Sequence, residues 1–380
     1  MTALAMNKTD MDTRVVACDY LRFSVPLSNF KNLHRAGKSG CRVHESIGFT
    51  KMPVPSYKGK NLKGKAFDKA LSDFQRETHL ALMSRVRQFC KNVLGFYVSW
   101  NRGFGTNFYQ DSFIISTADG TKAGVVCFGG NNDTVLFDIS GSGCQFLFDN
   151  DRRKSNDERY LTPFILHWWL TSILEITLLK RIDLCMDFHD DYLTVNSARL
   201  AYKDMGFRRS TGKYPKCRDV IERDIDGNIL GDTFYVGSRE SLVFWRVYNK
   251  ALQMGSNTNW VRVEAELKDI SVDILLNMSG SFSGLCPFSA SLESAPPQAI
   301  KFSRALKKAA LTIEQKTRWL RRQCSGSISA LLTHFQGDIG RVLSLMMRQD
   351  DIQELVMNES IGRLDIPVGS LDDLFIVATS

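Results

Sequence analysis

Three short segments hold residue types that could break and remake a phosphodiester: residues 181–191 (RIDLCMDFHDD), 242–250 (LVFWRVYNK) and 261–268 (VRVEAELK). Each alternates apolar with polar residues at the period of two that marks a half-buried strand. In the first, Leu184, Met186 and Phe188 fall on one face and Asp183, Cys185, Asp187 and His189 on the other. In the second, Val243, Trp245 and Val247 oppose Phe244, Arg246, Tyr248 and Lys250. In the third, Val261, Val263, Ala265 and Leu267 oppose Arg262, Glu264, Glu266 and Lys268. If the three share a sheet, one face is core and the other gathers carboxylates, cations and a tyrosine.

So many acids on one face repel one another unless positive charge sits among them. Two or three carboxylates suffice for Mg²⁺ or Mn²⁺, which take oxygen ligands and keep several waters. Asp183 and Asp187 would lie about 13 Å apart on an extended strand. One of them is therefore expected to meet Glu264 or Glu266 from a neighbouring strand. His189 would add a nitrogen ligand and favour Mn²⁺. The plainer use of the same acids is pairing with Arg181, Arg246 and Arg262. A free phenol, with a pKa of about 10, is a poor nucleophile at neutral pH. Arg246 and Lys250 flank Tyr248 on its own face and are expected to lower that pKa and to neutralise phosphate oxygens. Attack by Tyr248 would store the bond as a phosphotyrosine and free a 3′ hydroxyl.

The elements that must position these groups follow from pattern. A strand is expected over 18–26, stopped by Pro26. A basic loop covers 30–66, and apolar spacing gives a helix over 66–94. Strands follow at 95–100, 108–116, 123–130 and 134–140, then a helix over 160–179, a strand at 180–190 and a helix at 194–205. A basic loop covers 206–223, and Asp226-Gly227-Asn228 signals a hairpin. The last strands are 232–238, 242–250 and 260–268. The fold class is α+β, with antiparallel sheets flanked by helices. Residues 127–140 echo 235–248, and 18–25 echo 182–189, which suggests two β-α-β-β halves at 15–158 and 159–278. A domain over 1–278 is then followed by a linker at 279–299, rich in Ser, Gly and Pro. Residues 300–380 form a helical region, with helices at 300–323 and 326–357 and an acidic tail.

Composition narrows the partners. With 380 residues, 43% hydrophobic and 24% charged, the chain is globular rather than disordered. A net charge of +8 points to an anionic partner. Residues 30–70 carry ten Lys/Arg against two acids, and 301–323 carry eight against one. Residues 350–380 reverse this, with one Arg against seven acids. Nine cysteines without a CxxC or zinc spacing imply reduced thiols and a cytoplasmic location. The apolar stretch 164–179 is interrupted by His167, Thr171, Ser172, Glu175 and Thr177, so it reads as a buried helix and no membrane partner is expected.

The ordered combination of RIDLCMDFHDD, YVGSRESLVFWRVYNK and WVRVEAELK resembles the replication initiation factor family. Its members include RstA-type initiators of filamentous phages and initiators of staphylococcal-type plasmids. DYLRFSVP, VLFDISGSGCQ and KTRWLRRQCSGSISALL are similar to the phage branch, so the resemblance extends over most of the chain. It implies a metal-dependent enzyme that nicks an origin and transfers the strand. An R-x-Y-N-K pattern places the catalytic tyrosine at Tyr248, with Arg246 and Lys250 beside it. R-x-D-x-x-x-D falls on Arg181, Asp183 and Asp187, and R-x-E on Arg262 and Glu264. The resemblance thus implies Asp183, Asp187 and Glu264 as ligands of Mg²⁺ or Mn²⁺. The plasmid members carry a Glu soon after Y-N-K, where this chain reads ALQMGSN.

DNA contacts are expected from Lys60, Lys63 and Lys65, from Arg208 and Arg209, from Arg181 and Arg262, and from Arg102 in the aromatic loop WNRGFGTNFY. The expected function is initiation of rolling-circle replication on a duplex origin that is melted or folded into a hairpin. A host helicase and a host DNA polymerase would be partners, and an enzyme that must cut twice is compatible with a homodimer. The alternative is a non-catalytic, sequence-specific DNA-binding phage regulator that uses the acidic face structurally.

Overall fold

The three alternating segments lie side by side. They are the second halves or cores of strands β6 (Leu178–Phe188), β9 (Val243–Asn249) and β10 (Val261–Ser271), with β10 in the middle. The computed structural model describes residues 15–38, 48–58, 60–148, 161–210, 212–256, 258–300, 302 and 324–346. The other strands are β1 (Ala17–Pro26), β2 (Tyr97–Asn101), β3 (Tyr109–Ser116), β4 (Lys122–Gly130), β5 (Thr134–Ile139), β7 (Cys217–Arg223) and β8 (Ile229–Val236). All ten form one antiparallel sheet in the order β2-β3-β4-β5-β1-β6-β10-β9-β8-β7. The α+β class expected from the sequence is the class observed.

That order is palindromic about the β1–β6 pair. On each side one strand leads into helical residues, then a four-strand meander returns its last strand to the first. Each half is thus β-α-β-β-β-β, two strands longer than the unit suggested by the echo in the sequence.

One face of the sheet is core because one side of each strand is apolar. Leu184, Val247, Val263, Ala265 and Leu267 are fully buried, with Met186 and Trp245 almost so. Helix α1 (Lys65–Phe89) covers the first half with Leu82, Val86 and Phe89, one stripe at helical spacing. Phe89 meets Phe137 of β5 at 5.7 Å and Trp169 at 5.9 Å between ring centroids. In the second half Trp245 meets Phe207 at 5.6 Å and Phe282 at 5.7 Å.

Several expectations change here. Residues 279–299 are not a linker. They include helices Met278–Ser283 and Pro287–Leu292, and Phe282, Leu285 and Phe288 are buried against the second half. Their small polar residues concealed an apolar side. The compact unit accordingly runs from Met1 to Leu306, with Lys307–Ser380 as the second unit. Part of the expected loop 206–223 is the edge strand β7, whose side chains are nearly all exposed, so no alternation marks it. The expected helix 160–179 is a helix over Pro163–Trp168 with a wider turn over Trp169–Ile173. Within the second unit, helices Ser325–His334 and Ile339–Met346 replace the single helix expected from 326, with Gln336 and Gly337 at positive φ between them. Residues 303–323 and the acidic tail lie outside the described residues. Among the described residues, no helix is long and apolar enough to cross a membrane.

One glycine ties β4 to β5. Gly124 has φ +153°, and a Cβ there would lie 2.1 Å from the Asp138 carbonyl oxygen. Gly124→Ala must therefore push the strands apart, and urea unfolding is expected to show a loss of about 1–3 kcal/mol.

Candidate active site

Strand register turns the polar alternation into rows across the sheet. Asp187, Arg262, Tyr248 and Thr233 face one another across β6, β10, β9 and β8. The next row is Cys185, Glu264, Arg246 and Tyr235. The third is Tyr20 of β1, then Asp183, Glu266 and Phe244. Directly opposed and diagonal neighbours on one face lie within reach of long side chains, so acids and arginines interlock.

Arg246 is the hub. Its guanidinium reaches Asp183 Oδ2 and Glu264 Oε2, both at 2.8 Å. Arg181 donates to both oxygens of Asp183, at 2.7 and 2.5 Å, and lies 3.0 Å from Glu266 Oε2. Lys268 holds the other oxygen of Glu266 at 3.0 Å. Arg262 donates to both oxygens of Asp187, at 2.8 and 2.6 Å, and Trp260 Nε1 donates to Asp187 at 2.7 Å. Asp183 and Glu264 are almost completely buried. Arg246→Ala would leave both with one cation fewer, and chemical denaturation is expected to show a loss of about 3 kcal/mol or more.

Tyr248 is half-buried, and its hydroxyl donates to Glu264 Oε1 at 2.6 Å. Burial pushes the phenol above its ordinary range, and the charge of Glu264 and the hydrogen bond to it push further. This corrects the expectation that Arg246 and Lys250 depress it. Arg246 is committed to Asp183 and Glu264, while Lys250 sits 5.7 Å from the ring centroid and donates to Gln253 at 2.8 Å. A phenol held against a carboxylate has a partner able to take its proton.

A bulge adds a residue that alternation hides. The β1–β6 register shifts between Cys18 and Tyr20, so Asp19 is the extra residue. Strict alternation would place Asp19 with Leu21, Phe23 and Val25 on the core face. Instead it turns to the polar face, where Oδ1 accepts from Arg262 at 2.9 Å. Gly141 lies against it, since a Cβ there would come within 3.0 Å of that oxygen. An acid within an otherwise core-facing series was the available signal. Asp19, Asp183, Glu264, Arg181, Arg246, Tyr248 and Lys250 all border one cleft of about 520 Å³.

Among the described residues, no three His, Cys, Asp or Glu side chains form a group able to hold a metal ion. The expected trio of Asp183, Asp187 and Glu264 is thus not gathered at one point. Burial would raise the Asp187 carboxyl, but Arg262 and Trp260 outweigh it and hold it below its ordinary value. Asp187 is also absent from the cleft wall. Asp19 and Glu264 differ. Burial pushes both up despite Arg262 and Arg246, and the charge of Asp19 adds to the push on Glu264. Each already holds an arginine, Arg262 at 2.9 Å and Arg246 at 2.8 Å, and both border the cleft, so they are the carboxylates there that a divalent cation completing its shell with phosphate oxygens and water would use. His189 is exposed and lies against Trp260, with ring centroids 5.1 Å apart and planes tilted by 37°.

Residues 177–356 match the family model of the replication initiation factor. The resemblance read from the three strand motifs is borne out. The match contains β6 to β10 and so Tyr248, Glu264 and Arg246, whereas Asp19 lies before it. Among solved structures, the chain is similar to a rolling circle replication initiator protein from Geobacillus stearothermophilus, at 17% identity and a TM-score of 0.42, covering 72% of this chain and 84% of that one. No curated protein matches.

The basic residues expected to touch DNA sit in different surroundings. Lys60, Lys63, Lys65 and Arg208 are exposed. Arg102 is half-buried, with its guanidinium 4.3 Å from the Phe104 ring centroid. Arg181 and Arg262 are bound into the carboxylate network described above. Arg209 is half-buried, with its guanidinium 4.8 Å from the Phe302 ring centroid. Tyr235, in the row of Arg246, stacks on Phe244 at 5.6 Å under Arg218.

Proposed function

We propose that the chain initiates rolling-circle replication by nicking origin DNA and becoming attached to it through Tyr248. The observation that carries this reading is the 2.6 Å hydrogen bond from Tyr248 to Glu264 inside a cleft bordered by Arg181, Arg246 and Lys250. The match to the replication initiation factor supports it.

The cations at the cleft would bind the oxygens of the scissile phosphate and hold phosphorus in line with the phenol. Attack forms the bond from Tyr248 Oη to phosphorus and breaks the bond to the 3′ oxygen. The phenolic proton passes to Glu264, and the leaving oxygen takes a proton from solvent to become a 3′ hydroxyl. Mg²⁺ or Mn²⁺, held by Asp19 and Glu264, would supply further neutralisation of the phosphate charge. The 3′ hydroxyl would prime a host DNA polymerase while a host helicase unwinds the template. A second transfer would close the round.

The test is a supercoiled plasmid carrying the origin. EDTA is expected to abolish nicking and leave DNA binding in place, with Mg²⁺ or Mn²⁺ restoring the nick. A protein that binds the origin and never nicks under any metal is the DNA-binding regulator instead. Nicking that persists in EDTA contradicts the metal assignment.

A further inference from the structure

Three depressions on the polar face share walls. The cleft of about 520 Å³ at Tyr248 shares Arg181 and Arg246 with one of about 310 Å³. The latter shares Arg22 and Lys180 with one of about 290 Å³. Together they make one groove that crosses from β9 over β10, β6 and β1 to β5. That is four inter-strand steps, or roughly 19 Å at the usual strand spacing.

The groove changes chemistry along its length. Its middle is walled by Arg22, Lys180, Arg181, Arg239, Arg246 and Lys268 against a single acid, Glu266. Arg22, Arg181, Arg246 and Lys268 hold carboxylates. Lys180 and Arg239 are exposed and make no ion pair among the described residues, so their charge faces the groove unneutralised. The Nε–H groups of Arg22 and Arg246 are buried without a partner, which leaves these two guanidiniums incompletely satisfied. The far end has no cation beyond Arg22 and Lys180 and includes Asn107, Asn131 and Asn132 in its lining. Phe108, next to Asn107, is 95% exposed. Asn107 and Phe108 stand at φ 53° and 68°, a conformation that costs a bulky residue energy and here turns the ring to solvent.

We propose that this groove holds the unpaired strand next to the scissile phosphate. Its phosphates lie over the cationic middle, a base stacks on Phe108, and base edges meet the asparagine amides. The order of these chemistries matches what single-stranded nucleic acid offers, namely a charged backbone and free π-faces. A duplex stacks its bases on one another and has no face to give Phe108. The inference rests on the reading of Tyr248 as the reacting end of the groove.

The test reads binding without turnover, using the full chain in EDTA and a short fluorescein-labelled oligothymidylate followed by anisotropy. The double variant Lys180→Glu/Arg239→Glu is expected to bind the oligonucleotide at least about tenfold more weakly, with a salt dependence shallower by about 1.4 in the log–log slope. Phe108→Ala is expected to lose about tenfold on the oligonucleotide and less than about twofold on a blunt hairpin duplex. All three side chains are exposed, so folding is not at stake. Oligonucleotide binding that is unchanged in either variant, or lost equally on the duplex by Phe108→Ala, overturns the groove. Failure of Tyr248 as nucleophile would show only in covalent attachment, so the two ideas fall separately.

Discussion

Tyr248→Phe will leave no protein attached to DNA when incubated with a supercoiled origin plasmid and Mg²⁺, while binding the same plasmid as the wild type does. The phenylalanine keeps the ring in its row between Arg262 and Thr233, so β9 and its neighbours are undisturbed. What disappears is the oxygen that would bond to phosphorus. Removing a nucleophile costs on the order of 10⁴-fold or more in rate, because nothing else in the site makes the covalent bond. Two controls sharpen the result. The Tyr20 hydroxyl donates to Asp138 and lines the same cleft, a second phenol–carboxylate pair beside the first. Tyr235 lies opposite Arg246. Tyr20→Phe and Tyr235→Phe are both expected to form the adduct, measured as DNA label retained on denaturing gels.

Glu264→Gln has the second-largest expected effect. Glutamine fills the same space but cannot take the phenolic proton, and nicking is expected to fall by about 10²–10⁴-fold. Part of the loss would come from the weakened cation site, so the comparison with its neighbour matters. Glu266 is equally buried on the same strand, but its oxygens serve Arg181 and Lys268 rather than Tyr248. Glu266→Gln should therefore lower thermal stability while keeping most of the nicking rate in a single-turnover assay. Equal losses in the two variants would mean that Glu264 acts through the charge network alone.

The strands that build the site were legible because each is buried on one face only. Alternation in β6, β9 and β10 separated Leu184, Trp245 and Leu267 from Asp183, Tyr248 and Glu264 before any pairing was known. Pairing itself was not legible. Periodicity cannot tell that β10 lies between β6 and β9, nor that Tyr248 falls diagonal to Glu264, so the partner of the phenol had to come from register. Asp19 was hidden for a different reason, since a one-residue bulge reverses the face on which a side chain emerges. The edge strand β7 has neither face buried, and residues 278–292 bury a few aromatics among serines and glycines. Both escaped a reading based on apolar pattern. The same limit applied to the phenol. Neighbouring cations in sequence suggested a depressed pKa, but Arg246 is held by Asp183 and Glu264, Lys250 turns to Gln253, and Tyr248 has a carboxylate of its own.

The most direct measurement is mass spectrometry of the protein–DNA adduct. After nicking of the origin plasmid, the protein is digested with nuclease and trypsin, and the peptide carrying residual nucleotide is sequenced. Cleavage after Arg246 and Lys250 would release Val247-Tyr248-Asn249-Lys250, and the predicted result is a nucleotide phosphate on Tyr248 of that peptide. A nucleotide on any other residue would contradict the account, as would nicking with no covalent peptide at all.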